Sequence, residues 1–157
     1  MATKTNAVRL VQQAGIPCRE AFYEFDEQDL SGGHAAQAIG MPEEQVFKTL
    51  VARGEKTGIN VFCIPVCCEL DLKKAAKAAG DKNMELVAVK ELLGLTGYIR
   101  GGCSPVGMKK QYVTVFDESA LAQPRIYVSG GRIGTQVCCA PADLIRAARA
   151  STAHIIF

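Results

Sequence analysis

The chain has 157 residues, a formal net charge of +2, 48% hydrophobic and 22% charged residues, the composition of one globular domain covering 1–157. That charge excludes a general nucleic-acid coat protein, so any RNA contact must come from a local basic patch. No run of ~18 apolar residues is available to span a membrane, and the first residues lack the apolar stretch and cleavage site of an export signal, so the expected location is the cytoplasm.

Apolar residues at helical spacing predict a helix over 5–14, with Thr5 or Asn6 as its cap and Gly15-Ile16-Pro17 as its stop. Aromatic-rich residues 19–26 predict a strand. Residues 31–39 predict a short helix started by Ser31 and ended by Gly40, with Pro42 beyond. Residues 46–53 are β-rich and run into Gly54. Residues 59–66 are nearly all apolar, as in a strand covered on both faces, and the polar stretch 54–58 predicts a hairpin between the two. Asp71 and Gly80 frame a helix over 71–79. A strand at 84–87 and a helical turn at 89–93 follow. Strands at 112–116, 125–128 and 135–140, a polar turn at 117–119, and a last helix over 142–150 opened by Pro141 complete the pattern. Helices scattered among strands without regular alternation or repeat predict an α+β domain with a mixed or antiparallel sheet.

The densest chemical signal is the segment 97–110, GYIRGGCSPVGMKK, in which four of fourteen residues are glycine. Glycine loses the most backbone entropy on ordering, so this density suits a loop whose backbone approaches a ligand and offers N–H groups to it. Arg100, Lys109 and Lys110 add positive charge, which fits an anionic or carbonyl-bearing ligand such as the end of an RNA. A second glycine turn, Ser129-Gly130-Gly131-Arg132-Ile133-Gly134, again encloses a cation. Between these, Lys48 sits in an otherwise apolar strand. It is either a lysine snorkelling at the sheet rim or a cation that holds a phosphate, a ribose or an ester carbonyl. Ser129 at a strand end either caps its turn or orients a ligand. Tyr23, on the first predicted strand beside Phe22 and Phe25, packs or stacks on a terminal base.

No Gly-x-Ser-x-Gly elbow is present and neither His34 nor His154 stands in the setting of a base, which argues against a Ser-His-acid triad. The seven cysteines form an odd set in a chain without an export signal, as expected of reduced thiols. Cys67-Cys68 and Cys138-Cys139 are adjacent rather than spaced as zinc ligands, so no metal site is expected and most thiols read as small core hydrophobes. Cys103 reads as the one accessible thiol, a loop residue rather than a nucleophile.

The stretches VFKTLV, IPVCCELDLKKAAKAAG, TGYIRGGCSPVGMKK and IYVSGGRIG, in this order and spacing, resemble the YbaK/EbsC family. These are bacterial Cys-tRNA(Pro) deacylases related to the editing domain of prolyl-tRNA synthetase, and the resemblance runs from Lys4 to about Ile155. It implies a curved, barrel-like mixed sheet flanked by helices, and a freestanding enzyme that cleaves the ester of mischarged tRNA without cofactor or metal. By resemblance the essential lysine is Lys48, followed by Thr49. The substrate loop is Gly101, Gly102, Cys103, Ser104 and Pro105; the second turn contributes Ser129, Gly130 and Gly131; and the N-terminal tyrosine is Tyr23. The mechanism it implies has the substrate's own thiol attack the ester carbonyl, releasing tRNA and a thiolactone while the protein positions the reactants and glycine-loop amides hold the oxyanion. Two positions depart from some members: Ser31-Gly32-Gly33 replaces an aromatic residue, and Gln136 an acidic one, which leaves the amino acid removed open. The implied partner is prolyl-tRNA synthetase, which would supply the tRNA grip that Arg100, Lys109, Lys110 and Arg132 alone provide weakly. A tRNA- or synthetase-binding accessory without activity, and a thiol-redox protein using Cys103 or a vicinal pair, are the competing functions.

Overall fold

Gly54 and Gly58 close a tight turn, and the β-rich segments on either side pair through it. A computed structural model describes residues 4–25 and 32–157 of the chain. In it β2 (Phe47–Gly54) pairs antiparallel with β3 (Gly58–Pro65) in unbroken register from Gly54↔Gly58 to Phe47↔Pro65. The other elements, in chain order, are α1 (Asn6–Gln13), β1 (Cys18–Phe22), α2 (Gly32–Ile39), α3 (Leu72–Ala79), β4 (Met84–Leu86), α4 (Leu92–Thr96), β5 (Val113–Asp117), β6 (Ile126–Ser129), β7 (Thr135–Cys139), α5 (Pro141–Ala147) and β8 (Ser151–Ala153).

The α+β class stands, but the strands divide between two sheets rather than one barrel-like sheet. A five-stranded sheet runs β4-β2-β3-β5-β8, and a three-stranded antiparallel sheet runs β1-β7-β6. The first is mixed: β5 lies parallel to β3, and β8 parallel to β5. Among the described residues the sheets meet at a single bridge, Val46↔Tyr127. Every residue of β3 from Asn60 onward is buried, with Val61 and Cys63 facing the core shared with α1, α5 and the small sheet, and Phe62 and Ile64 facing α3. That two-sided burial is why its sequence shows no polar alternation.

Helix ends follow their capping residues. Thr5 caps α1 by accepting from Val8 N, and Asp71 caps α3 by accepting from Lys73 N and Lys74 N, with Gly80 left-handed at the far end. Three expectations change. The first strand stops at Phe22, because its partner β7 begins at Thr135 and gives way there to the glycine turn, so Tyr23 lies just past the strand. Asp26 and Ser31 lie outside the described residues. The predicted turn at 117–119 extends into a 3-10 helix, Glu118–Ala122, capped by Asp117. The last helix ends at Ala147, since Arg149 at φ 54 turns the chain back and lets 151–153 pair with β5.

Candidate active site

The seam between the sheets leaves part of β2 uncovered. β4 reaches only Ala52 to Gly54, so the first half of β2 presents an open edge toward the ends of β6 and β7. A cavity of about 330 Å³ opens there. It is lined by Lys48 and Thr49 of β2, Ser129 and Gln136 of the small sheet, Gly101, Cys103 and Arg100 of the first glycine loop, and Tyr23. Ala35, Val46, Phe47, Leu50 and Val66 supply apolar wall. Four distant stretches of sequence thus converge on one site of the size that holds a small ligand.

The pairing register explains the polar side. Ser129 stands opposite Gln136 across β6 and β7, so their side chains share a face. Both are buried, and among the described residues Gln136 Oε1 has no hydrogen-bond partner. Ser129 Oγ accepts from Gly131 N at 3.2 Å, which fixes the second turn. Lys48 is half-buried, and among the described residues it has no carboxylate partner. Among the described residues the lining carries two cations, Lys48 and Arg100, and no carboxylate. Thr49 Oγ1 lies 3.7 Å from Cys63 Sγ behind the wall.

The two glycine turns touch, backbone to backbone. A Cβ on Gly102 would stand 2.9 Å from Arg132 Cα, so glycine is required at that crossing. Thr5, besides capping α1, donates to Gly130 O and pins the second turn to the first helix. Several amides expected to face a ligand are committed inside the protein: Gly102 N donates to Ile99 O (3.0 Å) and Gly130 N to Thr135 O (2.8 Å). With Gly131 N held by Ser129, none of these three is a ligand donor. Among the described residues the amides of Gly101 and Cys103 give to no protein acceptor.

Lys48, Thr49, Tyr23, Gly101, Cys103, Ser129 and Gln136 therefore meet in the cavity, whereas Gly102, Ser104, Pro105, Gly130 and Gly131 do not line it. Ser104 and Pro105 are buried; Ser104 Oγ accepts from Val106 N, and Tyr98 Oη donates to Val106 O at 2.6 Å, so they shape the loop from behind. Cys103 is a correction. It is 8% exposed, burial pushes its thiol up to about 11, and the exposed cysteine is Cys67. Sequence reasoning misses the apolar wall of Ala35, Leu50 and Val66; its one signal there is that the apolar run of β3 continues past Pro65 into Val66.

This α+β architecture is matched among known proteins. Residues 32–147 fit the model of the aminoacyl-tRNA editing domain, and the chain belongs to that family. It is 45% identical over 152 residues, covering 97% of this chain and 93% of the relative, to an Enterococcus faecalis (strain ATCC 700802 / V583) protein named as a candidate Cys-tRNA(Pro)/Cys-tRNA(Cys) deacylase, EbsC. Among solved structures it resembles a hypothetical protein with a TM-score of 0.87 at 25% identity, over 98% of this chain and 100% of that one. It also resembles a candidate trans-editing enzyme for prolyl-tRNA synthetase with a TM-score of 0.80 at 27% identity, over 99% of both chains.

Proposed function

We propose that the chain is a freestanding deacylase that removes wrongly attached amino acid, cysteine first among them, from the 3′ end of tRNA, tRNA(Pro) being its first substrate. The observation that carries this reading is the half-buried Lys48 ammonium, which has no anionic partner among the described residues, in a cleft whose other described charge is also positive. A cation left without a counter-ion in a protein cleft awaits an anionic or carbonyl-bearing ligand, and the ribose-phosphate end of tRNA is one.

In this reading Lys48 and Arg100 hold the phosphate and ribose, while Tyr23 stands at the entrance for the terminal base. The Gly101 and Cys103 amides take the ester oxygen as its charge develops, where one well-aimed donor contributes roughly 3 kcal/mol. Gln136 supplies the acceptor for the amino group of the aminoacyl ester, a task its unpartnered oxygen can perform without a charge of its own. No side chain of the cleft offers an activated nucleophile: the Cys103 thiol stays protonated, and among the described lining residues there is no histidine. The substrate thiol fills that role by attacking its own carbonyl. The S–C bond forms, the C–O bond to ribose breaks, and tRNA leaves with its hydroxyl as a cyclic thiolactone is released.

The test is incubation of the purified protein with Cys-, Ala- and Ser-charged tRNA(Pro) and with Cys-tRNA(Cys), following ester loss and identifying the product by mass. Rapid loss from the cysteinyl esters with thiolactone as product is expected. Ester loss from Ala- or Ser-tRNA at the same rate would remove substrate-thiol attack, and binding without any ester loss would remove the deacylase reading.

A further inference from the structure

Outside the cleft, β3 stops at Pro65, whose ring cannot continue the ladder. Two backbone hydrogen bonds then shape the next three residues: Val66 N donates to Val46 O (2.8 Å) and Cys68 N to Pro65 O (3.0 Å). These make a tight turn over 65–68. Its far side is tied down as well, by the Leu70↔Ile156 bridge and by Asp71 N donating to Ile155 O at 2.8 Å. Cys67 and Cys68 stand on this turn with their Sγ atoms 3.7 Å apart; Cys67 is exposed and Cys68 half-buried.

That spacing has a chemical meaning. A disulfide needs its sulfurs about 2.05 Å apart, far closer than these stand. Two sulfurs bound to one pyramidal trivalent centre at about 2.3 Å each, with an angle of roughly 95° between them, stand ~3.4 Å apart. The turn therefore holds its thiols in contact, a few tenths of an ångström from the bite of a single bridging atom, and soft thiophilic centres are the ones that prefer sulfur. Because the backbone is already fixed, little ordering remains to be done on binding.

We propose that Cys67 and Cys68 form a dithiol site for one soft thiophilic centre, with trivalent arsenic as the type ligand, and that its occupation shuts the neighbouring cleft. The reaction is a condensation. An arsenoxide, R–As=O, meets the two thiols; two As–S bonds form, the As=O bond breaks, and oxygen leaves as water with both thiol protons. No atom changes oxidation state. The link to the cleft is short: Val66 and its hydrogen-bonded neighbour Val46 both line it, and the Cys68 thiol lies within the field of the Lys48 ammonium. The other vicinal pair cannot do this, since Cys138 and Cys139 are consecutive strand residues on opposite faces, both buried. Of the remaining pairs, Cys63 and Cys103 are both buried, and the more accessible rival is Cys18, cross-strand partner of Cys139.

The experiment treats the whole protein with phenylarsine oxide and reads intact mass, then maps the adduct. One arsenical per chain is expected, joined with loss of one water, on the peptide holding Cys67 and Cys68. It should survive a monothiol wash and be removed by a dithiol. Cys67→Ser and Cys68→Ser should each abolish it, and Cys18→Ser should retain it. An adduct that persists in Cys67→Ser, or that maps to Cys18 and Cys139, overturns the site. The effect on the cleft rests on the proposed deacylase reading: labelled wild type should lose about tenfold or more in Cys-tRNA deacylation, and arsenical-treated Cys67→Ser should lose none. Full activity of the labelled protein overturns the coupling. Inactivity of the unlabelled protein would fall on the deacylase reading instead, and the mass result would stand apart from it.

Discussion

At the turn end of the β2–β3 hairpin, the Asp81 carboxylate accepts from Lys56 N (3.0 Å), Thr57 N (2.8 Å), Thr57 Oγ1 (2.7 Å) and Lys82 N (2.7 Å). At the other end of the same two strands, among the described residues, the Lys48 ammonium has no carboxylate and Gln136 Oε1 on neighbouring β7 has no donor. The first charge is saturated by the protein and holds a turn closed. Gly54 shows how tightly: a Cβ there would come within 2.7 Å of Thr57 Oγ1 and 2.8 Å of Asp81 Cγ. The second is left open, and buried Asn60 Oδ1 and Ser119 Oγ elsewhere also lack partners among the described residues. What marks the site is therefore the joint deficit of a cation and an acceptor in one cleft.

The sharpest way to break this contrast is Lys48→Ala. If Lys48 is kept open for the substrate, the variant should lose about 10²–10³ in kcat/KM on Cys-tRNA(Pro) and melt at an unchanged temperature, read by deacylation and by circular dichroism. Unchanged turnover would make Lys48 a rim lysine after all. Gln136→Met should have the next largest effect. It preserves volume and removes the unpaired acceptor, so a fall of about tenfold in kcat/KM, roughly 1.4 kcal/mol, should accompany equal or higher stability. Loss of stability without loss of activity would show Gln136 to be a structural residue.

The fold was readable wherever a local rule governs. Caps at Thr5 and Asp71, the Gly54/Gly58 turn and the two-sided burial of β3 all rest on residues near one another in sequence. What was not readable depends on long-range register. The split into two sheets follows from the lone Val46↔Tyr127 bridge, which no periodicity encodes. The site was legible as a set of unusual residues, Lys48 in an apolar strand and two glycine turns, but not as a division of labour. Nothing in SPVG says that Ser104 and Pro105 face inward, and nothing in SGG says that Gly130 and Gly131 spend their amides on Thr135 and Ser129. The exposure of Cys67 rather than Cys103 follows from where β3 ends, one residue before its apolar run does.

Asp81→Asn tests the saturated end. It should lower the melting temperature at neutral pH and leave deacylation of folded protein unchanged. Loss of solvent works to raise the Asp81 carboxyl, but the donors from Thr57, Lys82 and Lys56 outweigh it and hold it well below the usual carboxylate range. A depressed pKa contributes stability that is complete above the ordinary carboxylate pKa of about 4 and fades as pH falls below it. The gap in melting temperature between wild type and Asp81→Asn should therefore be constant from neutral pH down to about 5 and close in stronger acid. A gap independent of pH would show that shape, not charge, holds the turn.

Alkali should act on the opposite end. Burial pushes the thiols of Cys63, Cys103 and Cys139 up to about 12, 11 and 12. Cys63 backs the wall at Thr49, Cys103 lines the cleft, and Cys139 closes the strand that carries Gln136. In the unfolded chain these groups ionise near pH 8.5. Between that value and 11–12 the native state holds more protons than the unfolded one, so stability falls as pH rises through the window and is complete below it. The midpoint of urea unfolding should be flat from neutral pH to about 8.5 and then decline, with a shallower slope in Cys63→Ala, which removes one of the retained protons, Cys68 and Cys18 being raised as well. That variant also leaves a small void, so its curve should start lower while falling less steeply. Parallel slopes would mean that the cleft end opens to solvent before its thiols titrate. The two ends would then differ in charge completion but not in burial.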